Sequence, residues 1–219
     1  IAVTSFSGVF AGWGSSKTLT IPVDLFRYNV NVTNMSGLFS GTKIASIPIG
    51  IFDYNLNVTT FASAFASSAT VTPLQIPTDL FRYNVLVTSF ANTFDGCYVS
   101  NIPATLFQYN INVTSFYRTF LNNAWRDNTI PVDFFRYNTK VTTFESCFFQ
   151  CVLITSLPED LFYYNTEVTS YNGVFESCRN LALPTRVFDI TNLGKVTSWY
   201  RFIYAAQTSY SPTGTIQQI

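Results

Sequence analysis

This 219-residue chain contains no histidine, and only 11% of its residues are charged. Without histidine the usual general base is missing, and so are the Ser-His and Cys-His pairs of nucleophilic catalysis. Lysine plus arginine and aspartate plus glutamate number 12 each, so no basic face is expected to attract nucleic acid. No run of about 18 apolar residues predicts membrane insertion, and no Gly-rich phosphate loop is present. These absences predict a protein that is not an enzyme and has no cofactor.

Seven copies of one phrase run through the chain instead. Each copy has Ile-Pro or Leu-Pro, and the regular copies continue with Leu-Phe or a close variant, Tyr-Asn, Val-Thr and two spaced aromatic residues. Position zero is the residue before proline: Ile21, Ile47, Ile76, Ile102, Ile130, Leu157 and Leu183. Successive copies begin 26 to 29 residues apart, which predicts a solenoid whose coils each close the apolar interior of the next.

The spacing within a copy predicts its local structure. The aliphatic and polar residues before each proline alternate, which predicts a short strand that pairs in parallel with its neighbours. The Asp-Leu-Phe-Arg-Tyr-Asn segment after proline suits one tight helical turn, and its aspartate at position +3 suits the N-terminus of that turn. Apolar residues at i, i+3 and i+7 of segment 87–94 predict two turns of helix. A short strand at Val-Thr-Ser-Phe is the alternative for this segment, and a paired-carboxylate glycosidase is a weaker alternative for the aspartates.

The repeat also sets the predicted domain organisation. Residues 1–219 form one domain, with a partial first repeat over 1–20, six regular repeats over 21–182, and an atypical last repeat with a tail over 183–219. Terminal repeats of solenoids commonly differ from the middle ones. The chain opens inside a copy and has no initiator methionine, so we expect it to be part of a larger protein.

Two polar residue types recur at fixed positions. An asparagine at position +8 is expected to form a structural ladder whose side chains bond to backbone groups of the turns; its members are Asn29, Asn55, Asn84, Asn110, Asn138 and Asn165. A row of ligand-binding amides is the alternative. Cys97, Cys151 and Cys178 share position +21 and are expected to be buried free thiols, with a Cys151–Cys178 disulfide left open. No metal site is expected, because histidine and four well-spaced ligands are lacking.

Phe-x-x-Cys (Phe94 to Cys97), a variable aliphatic segment, Ile-Pro and then Val-Thr-Ser-Phe together resemble the BspA-type leucine-rich repeat. Asn31 to Phe39 is similar to the subgroup with Val-Thr-x-Met-x-x-Met-Phe repeats. The chain departs from that subgroup in its Tyr-Asn pair and in phenylalanine where the subgroup has methionine. The resemblance implies an α/β leucine-rich-repeat-like solenoid, a right-handed stack of coils of about 27 residues. Short parallel strands would lie on one face, and short helices or turns on the other. It also implies adhesion without catalysis.

Three surfaces are candidates for binding. The pre-proline row, one residue before position zero, is predicted to line the strand face with short polar groups: Thr20, Ser46, Gln75, Asn101, Thr129 and Ser156. The variable-loop edge carries aromatic and arginine residues of the kind enriched at binding hot spots: Tyr98, Trp125, Arg126 and Arg179. The tyrosines at position +7 are expected to cover the core of a neighbouring coil and expose only their hydroxyls, with a sugar-stacking ladder as the alternative.

These features predict a non-enzymatic adhesion module that binds a glycan or protein of a host or cell surface. Its expected location is extracellular, at a cell surface or on a virion. The alternative is a structural or decoration element of a phage appendage or cell-surface assembly, whose partners would be other copies or subunits. Oligomeric context separates the two readings, because an assembly element needs a large interface between subunits.

Overall fold

The computed structural model describes residues 2–13, 17–68, 73–125, 127–184 and 194–203. Its two strands are short: β1 spans Tyr98–Val99 and β2 spans Ala124–Trp125. They pair in parallel, with Tyr98 opposite Ala124 and Val99 opposite Trp125. No α-helix occurs in these described ranges. The regularity of the structure therefore comes from contacts between copies of the repeat and not from long elements.

Parallel β-bridges join residues that are one repeat apart. The longest column of bridges follows the Val-Thr pair and consists of Ser5, Asn34, Thr60, Ser89, Ser115, Thr143, Ser170 and Ser198. A second, less regular column lies just before the prolines, where Leu74 bridges Val99 and Ser156 bridges both Thr129 and Ala182. Each copy of the repeat is therefore one coil, laid alongside the next in the same direction.

The two-turn helix predicted for segment 87–94 is wrong, and the equivalent segment 58–65 of the preceding copy shows why. Alternate N–H groups donate to the carbonyl three residues back, as from Ala64 to Phe61 at 2.9 Å. The N–H groups between them donate to the next coil, as from Phe65 to Thr93 at 2.9 Å. An α-helix would use all of these groups within its own segment. The backbone instead forms a run of tight turns that bond one coil to another.

Two positions in this run have a left-handed backbone, which rules out a continuous right-handed helix. Position +16 is occupied by Gly8, Gly37, Ser63, Asn92, Arg118, Ser146, Gly173 and Arg201, all with φ between 53° and 66°. Position +20 behaves in the same way, for example at Gly41 and Asn122, where φ is 68° and 50°. An L-residue pays about 1–2 kcal/mol for this conformation, whereas glycine does not. The contacts between coils must therefore offset that cost in the copies that lack glycine.

In the six regular copies the segment after the proline is also built from turns, so the predicted tight helical turn is wrong. In the second copy, Asp53 donates its N–H to Gly50 at 3.1 Å and Asn55 donates to Phe52 at 3.0 Å. Position +3 is left-handed at Gly50 and also at Asp79, with φ of 77° and 59°. The aspartate at this position therefore does not mark a helix N-terminus. Asp79, Asp133 and Asp160 all have this left-handed backbone, which aspartate tolerates better than most residues do.

Phenylalanine side chains from successive coils stack in columns and fill the interior. The rings of Phe81 and Phe107 lie 6.2 Å apart with only 3° between their planes, and Phe94 and Phe120 lie 5.6 Å apart at 7°. Phe90 belongs to a third column and packs between Phe81 and Phe107, with its centroid 4.7 Å from each. The buried apolar side chains form one cluster that includes residues of every coil from Ile21 to Leu181. Each fully buried ring contributes about 1.5–3 kcal/mol, so this core is the main source of stability.

Candidate functional site

All six members of the pre-proline row are exposed to solvent. They lie where consecutive coils run side by side, and Thr129 and Ser156 are joined by a parallel bridge. In this stretch the inward residues are the aliphatic ones, such as Leu74 and Ile76, which are 1% and 3% exposed. The alternation of aliphatic and polar residues therefore directs the polar members of the row outward.

Ser46, Gln75 and Asn101 of this row line one open groove with a volume of about 810 Å³. They come from three consecutive coils, and Ser100, Thr78 and Asp127 add two hydroxyls and a carboxylate. Ile47, Ile49, Ile76 and Pro77 supply an apolar floor and rim. The groove thus combines hydrogen-bond donors and acceptors with apolar surface, an arrangement suited to a ligand that carries both kinds of group.

The polar groups of the groove are only partly used within the protein. The Ser100 hydroxyl lies 3.0 Å from Asn101 Oδ1 and 3.4 Å from the Leu74 carbonyl. Within the described part of the chain, the Gln75 amide and the Asp127 carboxylate make no hydrogen bond. These groups can therefore accept or donate to a ligand without breaking an internal contact, which lowers the cost of binding.

One of the four residues predicted as contacts at the variable-loop edge is not at the surface. Trp125 is buried, with 1% exposure, so its prediction as a surface contact is wrong. Its indole packs edge-on between Phe120 and Phe148, with centroid distances of 5.2 and 5.5 Å. The cause is the pairing in β2, where Trp125 stands opposite the buried Val99. Tyr98 is half-buried and Arg179 is exposed, while Arg126 lies outside the described residues.

The asparagines at position +8 bond one coil to the one before it. Asn110 donates through Nδ2 to the carbonyls of Phe81 and Asn84, at 3.1 and 3.0 Å. The same pair of bonds is made by Asn55, Asn84, Asn138 and Asn165. All five are buried, whereas Asn29 is half-buried and contributes its carbonyl to Asn55. The side chains are committed to the backbone, so they are not available to bind a ligand.

Side chains at position +21 form a second column of hydrogen-bond donors, which was not predicted from the sequence. Its members donate to the carbonyl of the +18 residue in the preceding coil: Thr42, Ser68, Cys97, Asn123, Cys151 and Cys178. Ser68 Oγ lies 2.7 Å from the Phe39 carbonyl and Cys97 Sγ lies 2.9 Å from that of Phe65. The signal was present, because every residue type at this position can donate a hydrogen bond.

The four cysteines are buried and free. Burial raises the pKa of Cys97 to about 12, and that of Cys178 also to about 12. Burial raises the pKa of Cys147 and Cys151 well above the usual thiol value too. A neutral thiol is a poor nucleophile and a poor metal ligand. These cysteines therefore serve as packing and hydrogen-bonding groups.

The tyrosines at position +7 are more exposed than expected. The tyrosine row consists of Tyr28, Tyr54, Tyr83, Tyr109, Tyr137 and Tyr164. Exposure is 85% at Tyr28 and still 38% at Tyr164, so the expectation that only the hydroxyls reach solvent is wrong. The +5 phenylalanines already close the core beneath them, and this leaves the tyrosine rings outside it.

Three arginines at position +6 lie between successive members of the tyrosine row. The Arg27 guanidinium is 5.9 Å from the Tyr28 centroid and 5.2 Å from that of Tyr54. Arg82 is placed in the same way between Tyr83 and Tyr109, and Arg136 between Tyr137 and Tyr164. These distances are within the range of cation–π attraction. The row is therefore divided into three Tyr–Arg–Tyr clamps.

The aspartates at position +3 pair with some of these arginines. Asp24 lies 3.7 Å from Arg27 and Asp133 lies 3.2 Å from Arg136, and all four side chains are largely exposed. Exposed pairs of this kind contribute little to stability. Among the residues with described positions, no group of three or more metal-ligating side chains comes together. The same residues include no helix with the length and apolar character needed to cross a bilayer.

Comparison with known proteins gives one result at the level of a family. A family model described as "Mycoplasma protein of unknown function, DUF285" matches residues 4–134 and, in a second placement, residues 88–212. The two placements overlap, as expected for a repeated sequence, and together they cover well over half of the chain. No curated protein matches the chain.

Proposed function

We propose that this chain, which belongs to the DUF285 family, is a leucine-rich-repeat-like right-handed solenoid of the BspA type that works as a non-enzymatic recognition module. Its place would be outside the cell, on a cell surface or on a virion. The resemblance of Asn31 to Phe39 to surface-protein repeats supports the BspA assignment. The bonding of equivalent residues in successive coils supports a solenoid.

The groove along the pre-proline row is the observation that carries the proposed binding function. Ser46, Gln75 and Asn101 come from successive coils and converge on one space. Solenoids bind through residues that vary on a constant frame, and these three positions differ while the coil around them repeats. A groove that crosses three coils suits an extended ligand better than a compact one.

The chemistry of the groove favours a neutral glycan as that ligand. Amide groups and hydroxyls offer both donors and acceptors to sugar hydroxyls, and Asp127 can accept from two of them. Apolar side chains such as Ile49, which is 79% exposed, can pack against the C–H faces of a sugar ring. Asp127 is the only charged residue among the described residues that line the groove, and its negative charge disfavours an acidic glycan.

A glycan array with the purified chain, followed by titration calorimetry on the best neutral oligosaccharide, tests this proposal. Gln75→Ala and Asn101→Ala each remove hydrogen bonds to the ligand and are expected to weaken binding by about three- to tenfold. Ser156→Ala is the matched control, because Ser156 occupies the same row outside the groove and its loss leaves affinity unchanged. Equal loss in Ser156→Ala, or no binding to any glycan, would sink the proposal.

A structural role in an assembly is the second candidate, and exposed apolar residues at position +2 favour it. Val23, Ile49 and Val132 are 53%, 79% and 71% exposed. Apolar side chains that recur on one surface are typical of contacts between proteins. Light scattering at increasing concentration tests this role: association that Val132→Ser weakens supports it, and a monomer at all concentrations contradicts it.

A further inference from the structure

The pattern of arginines that lie between members of the tyrosine row is broken in two copies. Position +6 carries arginine in the first, third and fifth copies, but Asp53 in the second and Gln108 in the fourth. Each arginine lies between the tyrosine of its own copy and that of the next. By the same register, the second copy has no cation between Tyr54 and Tyr83, and the fourth has none between Tyr109 and Tyr137.

The gap between Tyr54 and Tyr83 carries a negative charge in place of the missing positive one. Both rings are exposed, at 48% and 46%. Arg27 lies on the first-copy side of Tyr54, and Arg82 lies on the fourth-copy side of Tyr83. Among the described residues, no arginine is therefore shared between Tyr54 and Tyr83 as it is in the three clamps.

The Asp53 carboxylate belongs to the copy that lacks the +6 cation, and it forms no ion pair within the described part of the chain. A Cβ added at Gly50 would lie 3.0 Å from Asp53 Oδ2, so glycine at that position leaves room for the carboxylate. Partial burial raises the pKa of Asp53, and the charge of Arg82 partly opposes that shift. The carboxylate thus has a desolvation cost that an added cation would offset.

We propose that the Tyr54–Tyr83 gap binds an arginine side chain of a partner protein. The guanidinium would occupy the place that Arg27, Arg82 and Arg136 occupy in the other clamps, with Asp53 as its counter-ion. The three internal clamps show that a guanidinium can lie within cation–π distance of two tyrosines from successive coils, and the Asp53 carboxylate provides the charge complementarity.

Apolar residues beside the gap define the rest of the partner. Leu56 and Val85, at position +9 of the same two coils, are 52% and 44% exposed. Exposed leucine and valine next to tyrosine and arginine give a surface typical of protein contacts. The expected partner segment therefore carries one arginine flanked by apolar residues. This surface is distinct from the groove, so the proposal does not depend on glycan binding.

The test uses the whole chain with ring-labelled tyrosine and the peptide acetyl-Leu-Arg-Leu-amide, followed by NMR. Saturable shifts are expected at Tyr54 and Tyr83 and not at Tyr28, whose clamp is already filled. The same peptide with citrulline in place of arginine is the probe for charge and is expected to cause no saturable shift. Shifts that are equal for the two peptides, or absent at millimolar peptide, overturn the proposal.

Four variants sharpen this test. Asp53→Asn is expected to weaken binding by about three- to fivefold, because it removes the counter-ion from a partly exposed site. Asp53→Arg places a guanidinium of the chain itself between Tyr54 and Tyr83. This variant is expected to abolish peptide binding and to raise Tm by about 1–3 °C. Gln108→Asp is expected to create a second site, with new shifts at Tyr109 and Tyr137. The control Asp127→Asn removes a charge outside the gap and is expected to leave all peptide-induced shifts unchanged. If the peptide still causes shifts in Asp53→Arg, the assignment of the site to the Tyr54–Tyr83 gap is contradicted.

Discussion

Replacing one asparagine of the buried ladder is expected to destabilise the chain more than its small size suggests. Asn110 is fully buried and donates to two carbonyls of the preceding coil, at 3.1 and 3.0 Å. Asn110→Ala leaves the carbonyls of Phe81 and Asn84 without these donors. Each carbonyl keeps one backbone donor, the N–H of Asn84 for Phe81 and the N–H of Val87 for Asn84, so the variant loses two hydrogen bonds and orphans neither acceptor. At about 0.5–1.5 kcal/mol for each bond, the loss is about 1–3 kcal/mol.

One feature of the site reduces this figure. Asn110 Oδ1 is itself buried and has no hydrogen-bond partner among the described residues. Alanine removes that orphan acceptor and recovers part of its desolvation cost, while the cavity left in the buried site costs a similar amount. The expected net loss is therefore about 1–3 kcal/mol in the free energy of unfolding. For a chain of this size, this corresponds to a fall in Tm of roughly 5 °C.

Urea and thermal unfolding followed by circular dichroism measure this loss. Asn112→Ala is the matched control, because Asn112 makes one comparable bond, to Val85 at 3.0 Å, from a more exposed position. Its expected cost is below about 1 kcal/mol. Asn110→Asp keeps the shape but replaces the donor with an acceptor and is expected to cost at least as much as alanine. A loss for Asn110→Ala no larger than that for Asn112→Ala would refute the assigned role of the ladder.

Three further predictions concern the core, the thiols and the turns. Phe90→Ala is expected to lower the free energy of unfolding, measured by chemical denaturation, by about 3–5 kcal/mol. The control Tyr28→Ala, at an exposed ring, is expected to lower it by about 0.5 kcal/mol. Similar losses for the two variants would contradict the stacked core. Because burial raises the pKa of Cys97 from 9.0 to about 12, the free energy of unfolding is expected to fall as pH rises from 9 towards 12. Cys97→Ser keeps the hydrogen-bond donor and is expected to lessen that fall. An unchanged dependence of stability on alkaline pH in this variant opposes the explanation. Gly37→Ala places a Cβ at φ of 62° and is expected to cost about 1 kcal/mol; an unchanged or raised Tm argues against the left-handed turn.

The sequence was most informative where one residue type is demanded in every coil. Position +8 accepts only asparagine in the six regular copies, because its side chain must reach two carbonyls of the coil before it. Phenylalanine at +5 is equally constant, since a ring of another size would leave a gap in the column of stacked rings. The +21 column can be identified in the same way, because threonine, serine, cysteine and asparagine at this position share the ability to donate a hydrogen bond.

The helix and Trp125 predictions failed because apolar spacing does not say where backbone hydrogen bonds go. Residues at i, i+3 and i+7 lie on one side of a helix, but they also lie on one side of a run of tight turns. Residues at +16 could have decided between them, since glycine, asparagine and serine there suit a left-handed backbone. Trp125 was placed outside because it falls in a variable segment, although that segment contains β2 and is buried by pairing with β1.

Turns that bond from coil to coil also determine where a binding site can arise. The six regular copies repeat the same backbone path over their described residues, so side chains at one position form a row, and most rows are uniform. A ligand can be recognised only where a row departs from its own pattern. Asp53 breaks the arginine pattern beside Tyr54 and Tyr83, and Gln75 with Asn101 places longer amides among the short side chains of the pre-proline row. Both surfaces therefore owe their chemistry to local irregularity on a frame that the phenylalanine columns and the asparagine ladder hold constant.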